Sequence, residues 1–101
     1  MNDTDVYKIS EIREKLEPVF REHGVKSAIL FGSYAKGDAR PHSDVDILVD
    51  SGRRGLSFVG LIGYASDALQ KEVDLIDVHY VRPDSYVDHE IHNTGVRIYG
   101  K

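Results

Sequence analysis

Residues 28–49 read AILFGSYAKGDARPHSDVDILV and decide the fold. Their opening apolar run is typical of a strand that is covered on both faces, and Gly32 and Ser33 end it. A short helical turn over residues 34–36 and a loop follow. A second strand over residues 44–49 then carries aspartate, a residue type that is depleted in strands. The segment therefore predicts a strand–turn–strand unit with an unusual acidic strand.

The acidic strand carries two aspartates two positions apart, Asp44 and Asp46. Because side chains alternate across a strand, these two project from one face, while Val45, Ile47 and Val49 project into the core. Two carboxylates whose backbones are about 6 to 7 Å apart repel each other. A divalent cation converts that repulsion into ligation, and hard oxygen ligands favour Mg²⁺ or Mn²⁺. The pair therefore predicts a metal site.

The turn before the acidic strand supplies a complementary part. Gly32 and Ser33 are small residues between a strand and a helical turn, a setting that exposes backbone N–H groups to a phosphate. Alone, this dipeptide reads as an ordinary turn, and the aspartates alone read as a solvated edge strand. With ten residues between Ser33 and Asp44, the combination favours a site in which the turn holds phosphates and the aspartates hold metal ions.

Two segments carry a family resemblance: FGSYAKG at residues 31–37 and SDVDILV at residues 43–49. They resemble the signature of the MNT-type minimal nucleotidyltransferases, which belong to the DNA polymerase β-like superfamily. The resemblance covers essentially the whole chain, including the closing GVRIY at residues 95–99. It implies an α/β fold with a mixed central sheet flanked by helices. Lys36 stands where many relatives have Arg, which keeps the charge but not the planar fork.

The resemblance also implies a reaction and its residues. The reaction is transfer of AMP from ATP to a hydroxyl, with two Mg²⁺ ions and release of pyrophosphate. Asp44 and Asp46 would then be catalytic metal ligands. The residues that contact the nucleotide would be Gly32, Ser33 and Ser43.

The family uses a third carboxylate on a later strand, and this chain offers two candidates. Asp74 and Asp77 differ by three positions, so they face opposite sides of a strand. The run from Val73 to Ile76 matches the family's Val-Asp-apolar pattern, so the resemblance favours Asp74 as the third catalytic metal ligand. Asp77 stays open as the alternative.

The resemblance further implies a partner. Small MNT proteins pair with a HEPN ribonuclease toxin and silence it as antitoxins by adenylylating a tyrosine. Three hypotheses follow: an antitoxin that adenylylates its partner, an antitoxin that acts by binding alone, and the catalytic subunit of a small-molecule nucleotidyltransferase. The resemblance favours the first, and the other two are its alternatives.

Composition narrows the remaining options. The 101 residues, with a net charge of −4, predict a single domain over residues 1–101. An acidic balance argues against direct nucleic-acid binding, which depends on Lys and Arg. Without cysteine the chain has no disulfide or thiolate site and suits a cytoplasmic location. No apolar run is long enough to cross a membrane.

The remaining chain alternates strands and helices. A first helix over residues 10–23 contains Pro18, which we expect to kink or divide it, and Gly24 is its expected cap. A helix over residues 56–70 is expected to turn Val59, Ile62, Ala65 and Leu69 to one side. The other predicted elements are strands over residues 25–31, 73–81 and 96–99 and a helix over residues 83–93 that Pro83 starts.

Several other residues have ordinary interpretations. Arg53 and Arg54 border a glycine-rich loop and are interpreted as solvated. Tyr34 is interpreted as packing beside the turn rather than as an exposed target. We place the three histidines that might suggest a metal cluster at the surface: His79, His89 and His92.

Overall fold

Two strands form the centre of the sheet and come from the two apolar runs of the opening segment. The computed structural model, which describes residues 6–100, has β1 at Ser27–Phe31 and β2 at Val45–Asp50. The two strands are antiparallel, and Phe31 lies opposite Asp46. The end of β1 therefore meets the start of β2.

The sheet has four strands within the described part of the chain, and its order is β3-β2-β1-β4. β3, at Val73–Asp77, runs parallel to β2. β4, at Val96–Gly100, runs antiparallel to β1. The predicted mixed sheet is confirmed, and its parallel pair joins the two strands that carry the predicted metal ligands.

Helices lie on both faces of this sheet. The helices are α1 at Ile9–Glu22, α2 at Ser33–Lys36, α3 at Gly55–Leu69 and α4 at Tyr86–Thr94. α1 and α3 contact each other and cover one face, while α4 packs against β1 on the other. No helix of residues 6–100 combines the length and the apolarity that a membrane crossing needs.

The alternation predicted for β2 is confirmed. Val45, Ile47 and Val49 are fully buried on the face that α1 and α3 cover. Asp46 and Leu48 point to the other face and are partly buried. The core therefore lies on one side of the sheet, and the Asp46 side chain lies on the other.

α1 is a single helix, so the expected division at Pro18 did not occur. Its end was predicted correctly: Gly24 has φ of 71° and donates its N–H to the Arg21 carbonyl, and Val25 donates to the Phe20 carbonyl. This pair of bonds is the Schellman motif. A fully buried stripe holds the helix against the sheet on both sides of the proline: Ile12, Leu16 and Phe20.

α3 buries only part of the predicted face: Ala65 and Leu69 are buried as predicted, whereas Leu61 takes the place of Val59 and Ile62. Val59 is 59% exposed. Ile62 is only partly buried. α3 is apolar around much of its circumference, so its periodicity did not determine which side packs.

Two predicted boundaries also moved. β3 ends at Asp77 rather than at residue 81, because the Asp77 carboxylate accepts the His79 N–H and starts a 3₁₀ turn at Val78–Tyr80. α4 begins at Tyr86 rather than at Pro83, because the Ser85 hydroxyl accepts an N–H of its first turn. In both cases a side-chain cap decided the boundary.

Candidate active site

The three predicted metal ligands come together at one end of the sheet. Asp46 on β2 and Asp74 on β3 are register partners, on neighbouring strands that are typically about 4.8 Å apart. Asp44 lies two residues before Asp46, immediately ahead of β2. Asp46 is partly buried, whereas Asp44 and Asp74 are exposed. Three carboxylates therefore share one corner of the sheet, away from the core.

The electrostatics of this corner are unfavourable for a further negative charge. Burial raises the pKa of Asp46 to about 6, and the nearby carboxylates of Asp74, Asp44 and Glu90 add to the increase. Glu90 lies on α4, and sequence reasoning missed it. No local pattern marks it, because only the packing of α4 across the sheet brings it to the site.

Asp77, the alternative third ligand, has a different role. Its buried carboxylate accepts the Ser51 N–H at 3.1 Å and the Ser51 hydroxyl at 2.7 Å. It also accepts the His79 N–H at 3.1 Å and lies 2.7 Å from His79 Nδ1. Burial opposes ionisation, but these hydrogen bonds outweigh it and lower the pKa of Asp77 to about 2. Asp77 pairs with Val49 on the core face, so it joins two strands instead of facing the other aspartates.

The donor set at the corner fits Mg²⁺. All the candidate ligands are carboxylate oxygens, which hard divalent cations prefer. Between residues 6 and 100, no three carboxylate or imidazole groups converge on a single point. Like charges point apart when nothing neutralises them, and the exposed side chains of Asp44 and Asp74 have room to rotate. The three carboxylates at this corner are therefore suitable Mg²⁺ ligands, but they do not point at a single position.

Gly32 allows Asp46 to lie close to the turn after β1. An ideal Cβ at Gly32 would be 2.6 Å from Asp46 Oδ2, and Gly32 has φ of 75°. Its N–H donates to Thr94 Oγ1 at 2.9 Å, and Thr94 Oγ1 in turn donates to the Glu90 carbonyl at 2.7 Å. The Gly32 N–H therefore donates to a residue of α4. Gly32 contributes to the site because, without a side chain, it lets the Asp46 carboxylate lie close to the turn. Sequence reasoning did not identify Thr94.

The two predicted serines sit at the borders of the site. Ser33 begins α2 and is partly buried. Ser43 Oγ accepts the Arg40 N–H at 2.9 Å, and the Ser43 N–H donates to the Arg40 carbonyl at 2.9 Å. Ser43 therefore closes the loop that leads into Asp44.

Arg53 is a correction to the sequence interpretation. Its guanidinium donates to the His23 carbonyl at 2.8 and 3.2 Å and to the Ser57 hydroxyl at 3.0 Å. It therefore links the loop after β2 to the end of α1 by hydrogen bonds. The prediction that the Arg53 side chain is simply solvated is wrong. Arg54 is exposed, as predicted.

The remaining interpretations are confirmed. Tyr34 is 3% exposed and belongs to the core. Each of the three histidines is exposed, as predicted, and lies beside an aspartate. These pairs are His79–Asp77, His89–Asp84 and His92–Asp88.

Comparison with known sequences supports what the geometry indicates. The family described as polymerase β nucleotidyltransferase matches residues 14–101. A putative protein adenylyltransferase of Methanocaldococcus jannaschii is 40% identical over 77 residues, which cover 74% of this chain and 83% of that protein. The protein adenylyltransferase MntA of Thermococcus cleftensis is 37% identical over 73 residues, which cover 62% of this chain and 74% of that protein.

Solved structures share the fold. A toxin–antitoxin crystal structure with AMP-PNP matches with a TM-score of 0.75 and 24% identity, over 88% of this chain and 73% of that one. The structure of a tri-AMPylated Shewanella oneidensis HEPN toxin in complex with MNT antitoxin matches with a TM-score of 0.69 and 21% identity, over 92% of this chain and 73% of that one. Since the family match extends over residues 14–101 and the fold agrees, this chain belongs to the polymerase β nucleotidyltransferase family.

Proposed function

We propose that this protein is a Mg²⁺-dependent adenylyltransferase that transfers AMP from ATP to a tyrosine hydroxyl of a HEPN-type toxin, and that it thereby acts as the antitoxin. The observation that carries the proposal is the register pairing of Asp46 with Asp74, beside a turn that Asp46 can approach only because residue 32 is glycine. We place the reaction in the cytoplasm, where ATP is available.

Asp44, Asp46 and Asp74 are the residues that would hold two Mg²⁺ ions. When bound, such ions stabilise the attacking and leaving oxygens of an in-line displacement. The raised pKa of Asp46, which burial causes first and the carboxylates of Asp74, Asp44 and Glu90 increase further, supports this assignment, because a bound cation would neutralise those carboxylates. Without a cation, the same charges only repel each other.

The transfer itself exchanges one bond for another. The acceptor oxygen bonds to the α-phosphorus of ATP, the bond from that phosphorus to the oxygen shared with the β-phosphorus breaks, and pyrophosphate leaves. A tyrosine hydroxyl has a pKa near 10, so its proton must be removed as it attacks. Asp74 is exposed at the edge strand, where its carboxylate would orient the hydroxyl and receive that proton.

The serines would help to bind ATP. Ser33 follows Gly32 at the start of α2, where its hydroxyl would donate to a phosphate oxygen. Ser43 Oγ accepts the Arg40 N–H, which leaves the hydroxyl hydrogen to donate to the nucleotide.

The proposed partner rests on the relatives. Curated relatives are named protein adenylyltransferases, and the matching structures include an MNT antitoxin with an AMPylated HEPN toxin. Adding AMP places a bulky anionic phosphodiester on the tyrosine. If that tyrosine lies near the ribonuclease site, the new charge competes with RNA phosphate for the same basic residues. Such inhibition would outlast dissociation of the two proteins.

The test is to incubate the purified pair with ATP and Mg²⁺, separate the two proteins, and measure the intact mass and the ribonuclease activity of the partner. We expect a mass increase that matches AMP, together with lost activity. Asp46→Asn protein provides the control and should leave the partner unmodified. An unmodified partner that regains full activity after separation would refute the proposal in favour of inhibition by binding alone. Label from ATP on a small molecule would instead identify a different acceptor.

A further inference from the structure

A cavity of about 260 Å³ borders β3 and is not used by the reaction scheme above. Its wall includes Ile76, which is two residues after Asp74 on β3 and so faces the same side of the sheet. Such neighbours are about 6 to 7 Å apart at their backbones. The complete lining is Ile76, Tyr80, Val81, Arg82, Ser85 and Val87.

The position of the cavity relative to the turn is informative. The strand order places β1, which ends next to Gly32, on one side of Asp46, and β3 on the other. Asp46 approaches Gly32 closely, whereas Asp74 and Ile76 lie at the edge strand. Gly32 therefore lies on the β1 side of the Asp46–Asp74 pair, whereas Ile76, the lining residue that belongs to the sheet, lies on the β3 side.

The geometry of an in-line displacement determines from which side the acceptor approaches. The attacking oxygen must enter opposite the leaving group. With pyrophosphate leaving toward the turn, as the proposed function requires, the acceptor hydroxyl arrives over Asp74 from the side of the cavity. We propose that this cavity is the acceptor subsite and that it takes the aromatic ring of the tyrosine to be modified. This inference rests on the proposed function.

The lining suits a single phenol ring. Val81 and Val87 are partly buried and supply apolar walls. Tyr80 is 68% exposed and offers a ring face or edge for an aromatic contact. The exposed Arg82 offers a guanidinium for a cation–π contact.

Size and direction together disfavour the nucleotide as the occupant. Pockets for drug-sized ligands measure roughly 300 to 1,000 Å³, so about 260 Å³ holds one ring rather than a nucleoside with its phosphates. An adenine ring alone would fit by volume. However, it would then occupy the path of the attacking hydroxyl.

The test uses binding, so that it does not depend on catalysis. N-acetyl-tyrosinamide is titrated into the isotope-labelled protein, and the methyl resonances of Ile76, Val81 and Val87 are followed by NMR. We expect saturable shifts with half-saturation in roughly the millimolar range, as for other small weak ligands. AMP with Mg²⁺ should leave these resonances in place. Shifts with AMP but not with the tyrosine amide would overturn the proposal, and so would no shift with either.

Two variants and a control sharpen the result. Val87→Trp fills the cavity, and Arg82→Ala removes the guanidinium from an exposed position; Val59→Trp adds the same bulk on the outer face of α3. We expect Val87→Trp to abolish binding of the tyrosine amide, Arg82→Ala to weaken it about threefold or more, and Val59→Trp to change nothing. With the partner as acceptor, Val87→Trp should raise KM at least tenfold, with KM for ATP unchanged. If both cavity variants bind the amide like wild type, the cavity is not the subsite.

Failure of the proposed function would look different. If no AMP reaches the partner under any condition, the proposed adenylylation fails, whatever the NMR titration shows. If AMP reaches a partner tyrosine but the cavity does not respond to the tyrosine amide, only the subsite is refuted.

Discussion

Asp46 and Asp74 lie directly opposite each other on neighbouring parallel strands, while Asp77, three residues further along β3, is buried on the other face. The two acidic residues of β3 thus have opposite environments. Asp74 is exposed next to other carboxylates, whereas Asp77 is stabilised by hydrogen bonds from Ser51 and His79. β3 therefore carries one exposed carboxylate that a substrate or metal ion can reach, and one buried carboxylate that stabilises the fold.

The first prediction concerns the pair on and just before β2. Asp44→Asn and Asp46→Asn should each abolish measurable transfer, because each change keeps the size but removes a charge that, under the proposed function, would hold Mg²⁺. Loss of one preorganised electrostatic contact typically costs about 10² to 10³ in rate, and loss of a metal should cost more. The measurement is transfer of labelled AMP to the partner. Near wild-type transfer by either variant would show that the site is placed wrongly.

The same variants should remain folded. In Mg²⁺-free buffer, Asp46→Asn should be more stable than wild type by on the order of 1 kcal/mol, because burial and neighbouring carboxylates disfavour its charge and solvent screens part of that effect. For a domain of this size that is several degrees in Tm. Added Mg²⁺ should raise the Tm of the wild type but not of Asp46→Asn. Thermal unfolding followed by circular dichroism, with and without Mg²⁺, measures both effects, and a lower Tm for the variant would argue against charge repulsion at this corner.

The second prediction separates the two aspartates of β3. Asp74→Ala should lose transfer with little change in stability, since its side chain is exposed. Asp77→Ala should lose about 2 to 4 kcal/mol of stability, because buried donors on Ser51 lose their acceptor. The folded fraction of Asp77→Ala should still transfer AMP. Chemical denaturation measures the stability of both variants, and transfer of labelled AMP measures their activity. If Asp77→Ala loses transfer and Asp74→Ala keeps it, Asp77 is the third ligand.

The active-site strands were predictable because their signals are local. Alternation within β2 determined which side Asp46 faces, and the apolar run of β1 identified the strand before the turn. The choice between Asp74 and Asp77 was different. Their spacing showed that they face opposite sides, but only the register between β2 and β3 shows which of them lies beside Asp46.

The residues that escaped prediction act across long separations in sequence. Glu90 and Thr94 reach the site because α4 packs across the sheet, and no local pattern encodes that placement. Arg53 looked like a loop residue, yet its hydrogen bond runs to the His23 carbonyl, 30 positions earlier. The packing side of α3 was predicted only in part, for another reason. In a helix that is apolar nearly all round, the sequence pattern does not show which side will pack.

The third prediction is a pH dependence of stability. The folded pKa of Asp77 is about 2, below its unfolded value of about 4. Its contribution is therefore fully present above about pH 4 and is lost as the pH falls toward 2, and a shift of this size corresponds to roughly 2 kcal/mol. Asp77→Asn removes the titration, so the stability gap between wild type and variant should narrow as the pH falls from 4 to 2. Urea denaturation at each pH measures the gap, and a constant gap would contradict the assignment.

The fourth prediction concerns the glycine beneath Asp46. Gly32→Ala places a Cβ 2.6 Å from Asp46 Oδ2 at a residue with φ of 75°. The carboxylate is the end of a side chain and can rotate away, but φ of 75° with ψ of −149° is a combination that essentially only glycine adopts, so the stability loss should be about 1 to 3 kcal/mol. The rotation moves Asp46 from its place beside the turn, and transfer should fall by at least 10²-fold, since small misplacements of reacting groups have effects of that size.

Gly37→Ala is the matched control for this prediction. Gly37 also has a positive φ, 83°, but a Cβ there meets nothing within 4 Å. Both variants therefore carry backbone strain, and only Gly32→Ala crowds the carboxylate. The measurements are the free energy of unfolding and the rate of transfer for both proteins at saturating ATP. Gly37, with φ of 83° and ψ of 15°, lies in the left-handed region that other residues also adopt. We therefore expect a smaller stability loss for Gly37→Ala than for Gly32→Ala, and a large difference in rate. Equal rates would mean that the close approach of Gly32 to Asp46 has no catalytic importance and that the glycine is required for the shape of the turn alone.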